Sequence, residues 1–304
     1  MPKYLDPKND LTFKRVFGEH KHLCMSLINS MLPLEKPIVS IEYQTGELIP
    51  ELAKILRNTV VDVRCTDSGG RQFIVEMQMY WTESFKSRVV LNASKAYLMQ
   101  LDRAKDFSLL QPVYALNFVN EIFEKDVKME NEYYHPYKIV NINHTEKQIK
   151  DLEFHFIELP KFKPQNRVEK KLHELWLQFL TQVNENTTEI PEELLQNEET
   201  REALGYMERA AYTKEQLEAY DKWKIAVMTE RTAINDALRK GIAEGLEKGE
   251  VIGIVKGKTE KEIDFVINCD KEGIPLQTIS TITNLSVEQI KKILENNNLP
   301  QNNP

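Results

Sequence analysis

Cysteine is scarce in this chain of 304 residues, which carries only Cys24, Cys65 and Cys269. The three are scattered and lack paired metal-ligand spacing, which excludes a disulfide scaffold and a cysteine zinc module and predicts a reduced, cytoplasmic setting. His20, His22, His135, His144, His155 and His173 show no zinc spacing either, so a histidine-metal or histidine-nucleophile mechanism has no support. No run approaches the ~20 apolar residues of a membrane span. The start, Met1 to Pro7, has no apolar signal core, so no membrane partner is expected. Gly-x-Ser-x-Gly is absent, and Gly257-Lys258-Thr259 has no glycine five positions before Gly257, so neither a nucleophile elbow nor a P-loop is present. Positive charge is not in excess: the net charge is -7 and the pI near 5.6. Broad electrostatic adhesion to nucleic acid is thereby disfavoured, and any such contact must be local.

What the chain does have is a pair of carboxylates in apolar surroundings. Thr59-Val60-Val61-Asp62-Val63-Arg64-Cys65 is rich in β-branched residues, Asp67-Ser68-Gly69-Gly70 supplies turn chemistry, and Gln72 to Met79 repeats the strand composition. This predicts an antiparallel hairpin. Alternation on its second strand puts Ile74, Glu76 and Gln78 on one face and Phe73, Val75, Met77 and Met79 on the other. Pairing of Cys65 or Thr66 with Gln72 or Phe73 brings Asp62 opposite the neighbourhood of Glu76. An unpaired buried carboxylate costs several kcal/mol, so a strand core keeps one only with a partner, a hydrogen bond or a metal. From spacing alone, a metal site and a plain hairpin with solvated acids stand level. Oxygen ligands suit a hard cation, Mg²⁺ or Mn²⁺.

Along the chain, Leu11, Phe13, Val16, Phe17, Leu23, Leu27 and Ile28 form a broken helical stripe that predicts a leading helix over residues 10–31, closed by Pro33. Ile38 to Tyr43 reads as a short strand, Thr82 as the cap of a helix from Glu83 to about Arg103, and Pro112 to Val119 as a buried strand. The order is αβββαβ: an α/β fold, its mixed central sheet flanked by helices. Two further extended runs, Tyr133 to Ile142 and Leu152 to Leu159, lengthen the sheet, with a capping box at Thr145 to Gln148 between them. The expected organisation is a core over residues 1–160, a helical region over 161–240, a tether over 241–260, a helix-turn-helix-like unit over 261–296 and a disordered polar tail over 297–304.

The tether is marked by Gly241, Gly245, Gly249, Gly253 and Gly257. Each glycine costs a helix about 1 kcal/mol relative to alanine, which favours a flexible or conditionally helical linker over a helix-packing face. Beyond it, Asn284-Leu285-Ser286 forms a tight turn in which Asn284 tolerates positive φ, and Ser286 with Gln289 caps a last helix. Glu288, Lys291, Lys292 and Glu295 leave that helix barely basic, so a packing or protein-contact role outweighs DNA reading.

Asp62, the hairpin turn and Glu76-Met77-Gln78, with Asn9 to Gly18 before them and Ser87-Arg88, Tyr97 and Gln100-Leu101 after, resemble the PD-(D/E)xK nuclease superfamily. The likeness is greatest to the Rpn group of recombination-promoting nucleases and transposases, over residues 5 to 120. It implies a metal-dependent DNA endonuclease, associated with recombination or mobile elements, in which Asp62 and Glu76 hold Mg²⁺ or Mn²⁺ and the Met77 carbonyl completes the shell. Gln78 stands where the superfamily usually has lysine; it orients the attacking water, and the Rpn group commonly has glutamine there. Asp10 is a candidate third carboxylate, and Lys14, Arg15, Lys86 and Arg88 are candidates to face phosphate. The expected partners are DNA and a second copy in a homodimer. The rival is a nuclease-fold protein, catalytically weak or inactive, that acts as a DNA-associated or protein-binding regulatory module.

Overall fold

The structure is a computed structural model that describes residues 3–44, 62–101, 106–164 and 171–297. The segment before the first sheet strand is broken rather than one helix. It comprises α1 (Asp10–Phe13), a π-helical turn (Lys14–Gly18) and α2 (Lys21–Met31), with Glu19 and His20 between the last two. Asn9 caps α1 through its side chain, which accepts the Leu11 N–H at 2.8 Å. Next come β1 (Ile41–Tyr43), β2 (Val63–Asp67), β3 (Gln72–Gln78), α3 (Glu83–Leu98), β4 (Val113–Val119), β5 (Tyr134–Asn141) and β6 (His144–Glu158). Thr59 to Val61, expected to open the first hairpin strand, lie outside the described residues.

The six strands form one mixed sheet in the order β1-β2-β3-β4-β6-β5. β2 pairs antiparallel with both β1 and β3, β3, β4 and β6 run parallel, and β5 pairs antiparallel with β6. Alternation explains the layers. Phe73, Val75, Leu116, Phe118 and Ile157 face the main core, where they meet Phe13, Phe17 and Leu27. Ile74, Val113, Ala115, Val119 and Phe156 face the opposite way, onto Phe85, Val89, Ala93 and Ala96 of α3. With both faces covered, the central strands read as near-continuous apolar runs.

One expected helix start fails. Thr145 to Gln148 lie inside β6, because Asn141 pairs with His144 across a two-residue turn and the ladder takes up the backbone groups a cap would have served. Thr82 does precede α3, but its side chain makes no capping hydrogen bond, and α3 ends at Leu98 rather than near residue 103.

The chain divides into two compact units, Met1–Thr229 and Glu230–Pro304. In the first, α4 (Leu172–Gln182), α5 (Glu192–Gln196) and α6 (Glu198–Met207) add Trp176, Leu180, Leu194, Leu204 and Met207 to the sheet's main core. α7 (Lys214–Lys271) packs Tyr220 against Leu5 and Tyr212 in that unit. In the second, Val266 and Cys269 of α7 form a small core with Ile279 of α8 (Leu276–Thr283) and Ile290 of α9 (Val287–Asn297). Asn284 closes α8 at φ 59°. The Ser286 and Gln289 side chains then cap α9 reciprocally, at 3.2 and 2.8 Å. The five spaced glycines lie within α7. Asn298 and the residues after it, expected to be disordered, lie outside the described residues.

Candidate active site

Glu76 and Gln78 end β3 on the α3 face, at the carboxyl end of a strand that runs parallel to its neighbour β4. In open α/β sheets that end is where ligands are received. The hairpin register, Val63 with Val75 and Cys65 with Phe73, sets Asp62 just before β2, level with Glu76. Asp62 therefore leaves the ladder, and its carboxylate takes the place of a strand partner: Oδ2 accepts the Met77 N–H at 2.6 Å.

The Asp62 side chain is 16% exposed and lies 4.0 Å from Lys14 Nζ. Burial pushes its pKa up to about 8, against the Met77 hydrogen bond, and the nearby acids Asp10 and Glu76 push it further. Glu76 is 7% exposed at its side chain. Its pKa is also raised, by burial first, against the opposing pull of Arg88 and Asn92. Asn92 on α3 donates to Glu76 Oε1 at 2.9 Å, and Arg88 lies 3.9 Å from Oε2. Gln78 accepts from Arg88 at 2.5 Å and donates to the Tyr80 carbonyl at 2.7 Å.

Lys14 also bonds Asp10 at 2.7 Å, so one ammonium bridges the leading helix to Asp62. The π-helical turn begins at Lys14, and such turns occur often at functional sites. The four candidate cations divide. Lys14 and Arg88 stand beside the acids, whereas Arg15 donates to the Ala211 carbonyl and covers the Tyr212 ring. Lys86 lies over the rings of Trp81, Phe123 and Tyr137. Both of these are packing contacts.

A family model described as PD-(D/E)XK nuclease family transposase matches residues 7–237. The chain belongs to this family. A search of curated proteins gives no match, and no solved structure matches. Membership of the PD-(D/E)XK nuclease family agrees with the α/β architecture, a mixed six-stranded sheet with helices. No helix among the described residues is long and apolar enough to cross a membrane.

PD-(D/E)XK nucleases typically use divalent metals. No cluster of three or more His, Cys, Asp or Glu able to hold a metal occurs among the described residues. The donor set nonetheless fits a hard cation that takes one or two carboxylates and keeps its waters. Two adjacent carboxylates are both driven toward neutrality by burial, a penalty a bound cation removes. The buried Asn92 Oδ1, whose amide nitrogen holds Glu76, has no hydrogen-bond partner. Asn117, level with Glu76 on β4, also has a buried side-chain oxygen without a partner.

Asn92 and Asn117 escaped the sequence reading. The signal for Asn92 was an amide set into the buried stripe Phe85, Val89, Ala93 and Ala96; for Asn117, it was one amide in an otherwise apolar strand.

Proposed function

We propose that this chain is a metal-dependent DNA endonuclease, its αβββαβ core carrying one phosphodiesterase site in which Asp62 and Glu76 hold Mg²⁺ or Mn²⁺. The observation that carries the reading is the adjacency of two pKa-raised carboxylates, buried Glu76 at the carboxyl end of β3 and half-buried Asp62 level with it, in a chain of this family. A divalent cation there would offset phosphate charge and favour deprotonation of water. The chain's own residues do the rest. Met77 N–H and Asn92 orient the two carboxylates. Gln78 uses one amide oxygen lone pair for Arg88 and one N–H for Tyr80, and its remaining lone pair and N–H orient the attacking water. The water oxygen forms a bond to phosphorus as the bond to a deoxyribose oxygen breaks. A proton passes from the water to solvent, and the leaving oxygen takes one up.

The test is plasmid nicking by the purified protein in Mg²⁺ or Mn²⁺ against EDTA, with Asp62→Ala and Glu76→Ala beside the wild type. Cleavage is expected to need metal and to drop by at least about 10²-fold in each variant, since such charge stabilisation is worth several kcal/mol. Cutting that survives both substitutions removes the assignment. A role in recombination or element mobility is the biological setting this activity would serve, with DNA as the substrate and a homodimer as the cutting unit.

A further inference from the structure

We propose that Arg88 is a catalytic residue of this site, a fixed cation that binds the scissile phosphate, and that Gln78 is the positioning residue that holds it there. The inference rests on the nuclease reading and adds the group that meets the substrate's charge.

The geometry is unusual for an arginine beside two acids. Its NH2 lies 2.5 Å from the neutral amide oxygen of Gln78 but 3.9 Å from the nearer Glu76 oxygen, beyond hydrogen-bond reach. A carboxylate that grips a guanidinium in a fork occupies two of its donors and sets an opposing charge beside it. A neutral amide adds no opposing charge. The amide is itself fixed, because Gln78 Nε2 donates to the Tyr80 carbonyl at 2.7 Å. The guanidinium also lies 4.9 Å over the ring of the fully buried Phe85, which fixes its plane. The side chain is 43% exposed, so a phosphate arriving from solvent can reach it.

Lys14, the other cation at the acids, is engaged with Asp10 at 2.7 Å and stands 4.0 Å from Asp62. It is therefore hydrogen-bonded to a carboxylate, while Arg88 hydrogen-bonds an amide and its approach to Glu76 stays at 3.9 Å. Arginine stays protonated at any working pH, so Arg88 serves as an electrostatic partner of the phosphate's non-bridging oxygens and not as a base. Gln78 makes this possible by being uncharged: a lysine at that position would repel the guanidinium.

The experiment compares wild type with Arg88→Ala, Arg88→Lys, Gln78→Ala, the Gln78→Ala/Arg88→Ala double variant and the relocated pair Gln78→Lys/Arg88→Gln. Three readouts are taken: kcat and KM for plasmid cleavage in Mn²⁺, Mn²⁺ affinity by titration calorimetry, and the salt dependence of binding to a labelled DNA duplex in Ca²⁺. Arg88→Ala is expected to lower kcat by about 10²-fold to 10³-fold, the effect of losing one transition-state charge partner, while Mn²⁺ affinity holds within a few-fold. Its slope of log K against log salt should shrink by about 1. Arg88→Lys recovers part of kcat, Gln78→Ala falls at least as far as Arg88→Ala and shows the same smaller salt slope, the double variant is no worse than Gln78→Ala, and the relocated pair regains activity over Arg88→Ala.

If Gln78→Ala abolishes cleavage while Arg88→Ala keeps wild-type kcat and salt slope, the proposal is overturned and the nuclease reading stands. If wild type does not cleave, the nuclease reading falls, and an unchanged salt slope in Arg88→Ala removes the phosphate contact as well.

Discussion

Glu76 is held in the sheet by Asn92 of α3, which donates a hydrogen bond to its buried Oε1. Replacing Asn92 by leucine leaves that acceptor without a donor, at a cost of about 1–3 kcal/mol, and lets burial act on Glu76 with less opposition. We expect Asn92→Leu to melt earlier and to bind Mn²⁺ about 10-fold to 100-fold more weakly, as outer groups that orient metal ligands commonly do; calorimetry on both counts checks it. Asp62 predicts a pH effect of definite sign. Its carboxyl is raised from 3.8 to about 8 in the folded protein. Between those values the unfolded chain has released the proton that the folded chain still holds, so folded stability falls as pH rises from about 4 to about 8 and levels off above. The metal-free protein should lose stability across this window, measured by urea midpoints at successive pH values. Asp62→Asn should flatten that slope, and Mn²⁺ affinity should rise with pH over the same interval as metal displaces the proton. Both core acids could be read from the sequence because a carboxylate in a β-branched run stands out against its neighbours. The groups that set their chemistry could not, since Asn92, Arg88 and Lys14 come from other elements and meet the acids only through the fold.

The hairpin of β2 and β3 was legible as a hairpin, because Asp67-Ser68-Gly69-Gly70 admits a tight turn and Gly70 takes φ 86°, while its register, Cys65 with Phe73 and Thr66 with Gln72, was one of several pairings the turn left open. The strand after α3 was legible for the same local reason, an apolar run covered on both faces. What local pattern misses is tertiary closure. The expected helix over residues 10–31 is interrupted where Val16 and Phe17 are drawn into the core through the π-helical turn, and β6 extends through a stretch that carries helix-cap chemistry. The glycines of α7 set propensity against continuity. An added Cβ at Gly241, Gly245, Gly249, Gly253 or Gly257 meets nothing within 4 Å. Gly245→Ala and Gly249→Ala should therefore each strengthen the helix by about 1 kcal/mol without a clash. Amide hydrogen exchange across residues 241–257 is expected to slow by roughly fivefold per substitution wherever local opening controls it. Exchange that stays unchanged would mean these amides open only with a larger unit.

At the scale of the molecule, every group assigned to the site lies in the unit Met1–Thr229, and the small helical core of Val266, Cys269, Ile279 and Ile290 lies in the other. The two functional readings divide along the same line. A nuclease whose chemistry resides in the first unit should keep it when the second is removed, whereas a regulatory module working through its C-terminal helices should lose its purpose. A chain ending at Thr229 retains Asp62, Glu76, Gln78, Arg88 and Asn92 with the whole sheet core, and gives up only contacts on α7 beyond Tyr220 and the small second core. We expect it to fold cooperatively and to bind Mn²⁺ within a few-fold of the full chain. The two forms should differ in association state or DNA affinity, since the exposed apolar residues Leu238, Ile242, Leu246 and Ile254 depart with the truncation. Analytical ultracentrifugation of both forms reads the association state, and calorimetry with nicking assays reads the site. If the truncated chain folds and binds metal but no longer nicks, with a dimer-to-monomer change, cutting depends on pairing two sites. If the truncated chain binds no metal while keeping its fold, Asp62 and Glu76 are not a metal site and the regulatory reading takes over.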